Sequence, residues 1–235
     1  MIFDDFFKAI GQMNDRAFRR VLFLGLGLTI GLLVLLYWGY LALVAQFAGG
    51  TVALPYVGEI TWLQSALGWG GLILMFVLSI FLMIPVASAI TSFFLEDVAD
   101  AVEAKHFPHL MPAPKQSFMD ALKDTLIFFG VLIAANLLAL IAYVVLPFFA
   151  IPIFYALNGF LLGREYFTLA ATRREGRQRA KAMRTRHQSQ IWMAGILMAL
   201  PLTIPLMNLF IPILGAATFT HLYHRLAAKD AIAQR

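Results

Sequence analysis

Arg19 and Arg20 stand side by side just before an apolar run that opens at Val21. Two planar guanidiniums at a helix start can hold an oxyanion, because free backbone N–H groups and the helix dipole add to their charge. The plainer alternative makes them anchors on lipid phosphate, since membrane helices carry basic flanks as a rule. A second constellation sets Asp100, Glu103 and Lys105 with Arg164, Glu165, Arg184, Arg186 and His187. Asp100 and Glu103 are three apart, hence on one helical face. Arg164-Glu165 directly follows an apolar run, where charges face a bundle interior or water. These groups could balance one another at the inner mouth of a conduction path, or form ion pairs that lock helix ends together.

Other candidates are weaker. His106–His109 and His221–His224 are pairs at i,i+3 spacing, but Pro108 interrupts the first and neither has an acidic residue or Cys at ligand spacing, so no metal site is expected. His221 and His224 are expected to cap the last helix near an interface. Asn208 lies among Pro201, Pro205 and Pro212 in an apolar stretch, where it either satisfies backbone groups freed by those breaks or lines a path. No Gly-rich phosphate loop, HExxH or Gly-x-Ser-x-Gly occurs, and with cysteine absent neither an enzyme nor a cofactor is expected.

The elements that position these residues follow from the charge map. Between Arg20 and Glu96 the only charged residue is Glu59, and the whole chain is 61% hydrophobic with 13% charged residues. Its mean hydropathy is +0.79. Ordinary soluble domains carry about 25% charged residues, so the chain is read as an integral membrane protein forming a single membrane domain over residues 1–235. The net charge of +5 fits basic flanks on the cytoplasmic side better than nucleic acid, which is not expected as a partner. The opening Met1-Ile-Phe-Asp-Asp lacks the apolar core of a cleavable leader.

Phe3, Phe6, Phe7 and Ile10 recur at helical spacing, so residues 1–20 read as an interfacial helix with its aromatic face in the acyl boundary. Spanning helices are expected over 21–47 and 70–95, the first with a thin face at Gly25, Gly27, Gly31 and Gly39 that favours self-association. A charged inner helix and loop fill 96–124. Residues 125–170 are too long for one helix and are broken by Pro147 and Pro152, while 191–224 are broken by Pro201, Pro205 and Pro212. A basic cytoplasmic segment at 171–190 separates them, and 225–235 forms a cytoplasmic tail. With eight Lys or Arg in 164–186, both apolar stretches must enter and return on one side. The fold expected is all-α: two long spanning helices, two proline-broken, re-entrant helical hairpins and an interfacial helix, with both termini cytoplasmic. Broken helices at membrane depth are tolerated only inside protein or beside water, which points to a transport path.

Ile204-Pro-Leu-Met-Asn-Leu-Phe-Ile-Pro212, followed by Gly215-Ala-Ala-Thr218, resembles the C-terminal signature of the CysZ family of bacterial sulfate transporters. Met183-Arg-Thr-Arg186 is similar to the basic lead-in of that family, and Asp100-Ala-Val-Glu-Ala-Lys105 to its acidic helix. Ala17-Phe-Arg-Arg20 occupies the place of its Gly-Leu-Arg-Arg anion-binding turn, with Ala17 and Phe18 departing from that pattern. The resemblance implies an inner-membrane homo-oligomer, a dimer or higher, that admits sulfate for cysteine synthesis, with Arg19 and Arg20 as the sulfate contact and membrane lipids as its other partners. The rival reading is a non-transporting scaffold that binds anionic lipid and partner proteins.

Overall fold

A computed structural model describes residues 2–48, 53–54, 58–59, 70–71, 73, 76–77, 94–114 and 118–233. The spanning helix expected over 70–95 therefore lies largely outside the described residues. Those described are all-helical apart from one short antiparallel ladder, Ala53–Leu54 against Gly58–Glu59. The all-α expectation holds, and three helical stretches are long and apolar enough to cross a membrane: 16–40, 126–145 and 147–186.

Helix α1 (Ile2–Gln12) is amphipathic in an inverted sense. Asp5, Ala9 and Gln12 are buried against the protein, while Phe3, Phe7 and Ile10 face outward. A helix packed on a water-soluble protein turns its apolar stripe inward, so the outward phenylalanines imply apolar surroundings. Helix α2 (Arg16–Ala48) packs through Phe18, Val21 and Thr29, spaced by three and eight on one face. Between Ile30 and Trp38 most of its side chains are exposed, Val34, Leu35 and Trp38 among them.

Helix α3 (Leu95–His106) carries Glu96 and Asp97 in its first turn and Lys105 and His106 in its last, matching the helix dipole at both ends. The first hairpin is α4 (Phe118–Val145), a 3₁₀ turn at Pro147–Phe149, and α5 (Ala150–Arg186). Its tip is apolar and open, with Phe148 97% and Val144 77% exposed. Leaving each such side chain in water forgoes about 1.5–3 kcal/mol, so the tip belongs in hydrocarbon or against another chain.

Three expectations for this region are corrected. Pro152 does not break the chain. It is the third residue of α5, where the backbone N–H has no intrahelical partner to lose. The hairpin does not end at 170, because α5 continues into the basic segment expected at 171–190. What interrupts it is Gly176, with φ 75° and ψ 167°, a left-handed conformation that a side chain disfavours. The chain folds back there, bringing Arg184 to Thr168, sixteen residues earlier.

The second hairpin is α6 (Gln188–Ala199), two 3₁₀ turns at Leu200–Thr203 and Pro205–Leu209, and α7 (Ile211–Ala233). Pro201 and Pro205 each open a turn, and Asn208 sits half-buried in the second. Pro212 instead occupies the second residue of α7, a position that tolerates proline. The 12 residues of α6 span about 18 Å, well short of the ~30 Å hydrocarbon core. Helix α7 runs nine residues past the expected end at 224, so His221 and His224 lie within it and do not cap it.

Packing centres on α5. Helix α6 runs antiparallel to it with backbones in near contact: a Cβ added at Gly195 would lie 1.9 Å from the Gly159 carbonyl oxygen, and one at Gly163 would lie 2.7 Å from that of Ile191. Helix α7 runs parallel to α5, with Gly215 under the Tyr166 ring and Tyr223 beside Glu175. By contrast, a Cβ at Gly31 meets nothing within 4 Å. Gly195→Ala should therefore lower the stability of the detergent-solubilised protein by about 1–3 kcal/mol through overpacking, read as a fall in melting temperature. Gly31→Ala should leave the monomer's melting unchanged or raise it.

Candidate functional site

The polar end of the bundle is organised around Glu103, whose side chain is only 6% exposed. It projects from the buried face of α3, which Val98, Ala99 and Val102 fix against the core. Arg174 donates to it twice, Nε to Oε1 at 3.1 Å and Nη2 to Oε2 at 2.5 Å, and His224 Nε2 lies 2.9 Å from Oε1. Arg173 Nη2 stands 3.8 Å away and pairs directly with Asp100. Arg174 also donates from Nη1 to the Met111 carbonyl at 2.6 Å, and the Phe107 ring covers His224 at 4.1 Å. Burial alone would push the Glu103 carboxyl up. The His224 and Arg174 hydrogen bonds and the charges of Arg173 and Arg174 outweigh that and hold it at about 2.

Three outlying contacts extend this layer. Asp5 accepts from Arg225 Nε and Nη2 at 3.0 and 2.8 Å, and Gln12 donates to the Ala101 carbonyl at 3.1 Å. Asp15 lies 3.5 Å from Lys105. The N-terminal helix, α3 and the C-terminal helix therefore meet at one level.

The constellation expected from sequence does not form one cluster. Asp100 and Glu103 do come together, but with Arg173 and Arg174, and Lys105 pairs with Asp15. Arg186 and His187 go to Asp230, at 3.5 Å and 3.0 Å. Arg184 Nη1 donates to Thr168 Oγ1 at 2.8 Å. Arg164 and Glu165 are half-buried, with no ion pair among the described residues. The histidines also pair differently from their spacing, His106 meeting His221 ring to ring at 4.6 Å.

Arg19 and Arg20 are exposed within the first turns of α2 and not ahead of it. The helix start is already served: the Arg19 N–H donates to the Asp15 carbonyl at 3.0 Å, and the Asp15 carboxylate accepts from the Ala17 amide. The two guanidiniums are thus available to an anion, whereas the adjoining amide of Ala17 is taken.

Ending the hairpin at 170 and setting 171–190 apart as a basic segment concealed Arg173 and Arg174. Phe167, Ala170 and Ala171 are buried, and that spacing continued by one turn places Arg173 and Arg174 on the same helix. A buried carboxylate face on α3 also demanded cations. A sequence profile described as sulfate transporter CysZ/etoposide-induced protein 2.4 matches residues 5–212. No curated protein sequence matches the chain.

Because the folded carboxyl of Glu103 lies below its ordinary 4.5, its contribution is fully present above pH 4.5 and is lost as pH falls towards 2. Melting of the solubilised protein should drop across that window. Glu103→Gln should destabilise the fold by about 3–5 kcal/mol at pH 7, because the Arg174 guanidinium loses its counter-charge, and should flatten the acid dependence.

Proposed function

The chain belongs to the family of the sulfate transporter CysZ and etoposide-induced protein 2.4, and on that premise we propose that it passes sulfate across a bacterial inner membrane for assimilation into cysteine. The observation that carries this reading is the second hairpin. Helix α6 has 12 residues and ends in two proline-led 3₁₀ turns inside an uncharged, largely apolar stretch, with its backbone pressed against α5. Interrupted backbone at membrane depth leaves groups that must face protein or water, and paired half-helices of this kind form substrate sites in transporters. A scaffold would need no such interruption.

Arg19 and Arg20 take an outer role in this proposal. Exposed and without ion pairs among the described residues, they raise the local concentration of a dianion, or meet lipid phosphate, in a salt-dependent way. The Glu103 layer acts as the structural lock that holds α1, α3, α5 and α7 together. Asp100 and Glu103 are balanced by Arg173 and Arg174, so the four leave little net charge to hold sulfate. The open faces of α2 and α4, with Gly27, Gly31 and Gly130 free of neighbours, suit a homo-oligomer packed through thin helix faces. The outward phenylalanines of α1 suit the lipid boundary, and both termini lie on the cytoplasmic side. The scaffold reading draws on that same α1 face, which would bind lipid without any flux.

Radiolabelled sulfate uptake into proteoliposomes separates the two. Transport predicts saturable uptake above that of empty vesicles, reduced by excess phosphate more than by equal chloride. Lipid binding with no uptake would establish the scaffold. A cytoplasmic reporter fused at Arg177 should be active, and a periplasmic one inactive.

A further inference from the structure

Arg173, Arg174, Arg186 and Arg225 each have an acidic partner, whereas Arg164 and Arg184, both half-buried, have none among the described residues. Arg164 and Thr168 sit four apart on α5, one above the other on the same face. The reversal at Gly176 returns Arg184 to that face, where its Nη1 donates to Thr168 Oγ1 at 2.8 Å. Both arginines are half-buried. No ion pair joins either to a carboxylate among the described residues, and the charge that bears on Arg184 is the like charge of Arg164. Asp230 of α7, which meets the end of this segment, is committed to His187 and Arg186. Glu165 follows Arg164 directly but makes no contact with either guanidinium among the described residues.

Both guanidiniums are partly desolvated and carry like charge, and no carboxylate among the described residues balances them. Elsewhere in the bundle the same chain matches such charges with carboxylates. Here the missing partner is an anion from outside. Arginine offers parallel N–H donors that match the oxygens of a tetrahedral anion, and the threonine hydroxyl, which donates to the Arg164 carbonyl at 2.6 Å and accepts from Arg184 at 2.8 Å, holds the Arg184 guanidinium in place.

We propose that Arg164, Thr168 and Arg184 form a binding site for a tetrahedral oxyanion, either a free inorganic dianion or the phosphate of an anionic lipid. The site deepens the sulfate-transport reading when the ligand is free, but its existence is read from binding and not from flux. The full chain in detergent is titrated with radiolabelled sulfate, and native mass spectrometry follows retained phosphatidylglycerol after exchange into phosphatidylcholine nanodiscs. Arg164→Gln and Arg184→Gln should each weaken the ligand at least tenfold, with Thr168→Val weakening it by a smaller factor. Arg179→Gln, an equal loss of charge at an exposed site, should change nothing. Loss of sulfate binding in the two arginine variants assigns the free anion, and loss of retained lipid alone assigns the headgroup. Unchanged binding of both ligands in correctly melting arginine variants overturns the site. Uptake measured on the same variants keeps the readings apart: flux with unaltered binding rejects the site and leaves transport, while arginine-dependent binding without flux does the reverse.

Discussion

A carboxylate taken out of water must be neutralised where it stands, and Glu103 is such a group. Its solution is not local. The counter-charges come from α5 seventy-one residues later, and the third hydrogen bond comes from α7, 121 residues away. Three helices are thereby pinned at one height, and Asp5 on Arg225 adds a fourth across 220 residues. An exposed ion pair contributes little. A buried carboxylate whose partners come from two distant helices is different, because displacing either helix strands a charge and not merely a contact. The polar end is consequently the specific end of the molecule.

The other end obeys the opposite solvent. There the hairpin tips present Phe148, Phe149, Ile204 and Met207 outward, and cohesion comes from backbone proximity, with Gly159, Gly163 and Gly195 removing the side chains that would keep α5 and α6 apart. When the surroundings are as apolar as the helix faces, burying leucine gains little, and close van der Waals approach becomes the available force. Charge fixes the height of the helices at one end, and glycine fixes their separation at the other.

Much of this was legible in the chain. The charge map and proline positions gave the helical hairpins, because bilayer thickness and the missing proline N–H act at the level of single residues. The short α6 arm follows directly from the position of Pro201. What was not legible depended on direction. Pro152 and Pro212 look like breaks in sequence, yet each falls in a first turn where proline is harmless. Gly176 looks unremarkable among basic residues, yet its positive φ reverses the chain and decides which arginines meet which partners. Charge composition told that acidic and basic groups would share a compartment. Only the register of α3 against α5 and α7 selected Arg173 and Arg174 over Arg164 and Arg184.

That selection bears on topology as well. Sequence alone placed the basic segments together by the positive-inside tendency, a statistical rule about insertion. The ion pairs supply a mechanical reason. Asp15 at the start of α2 contacts Lys105 at the end of α3, so whatever path the chain takes between 49 and 93, it returns to the level from which α2 departs. Arg174 of α5 and His224 of α7 reach the same carboxylate, so α4 with α5, and α6 with α7, must also close on that level. Each excursion into the apolar zone begins and ends at the layer held by Glu103. The first helix and the last consequently meet at one level of the bundle, the level set by Glu103 and its partners.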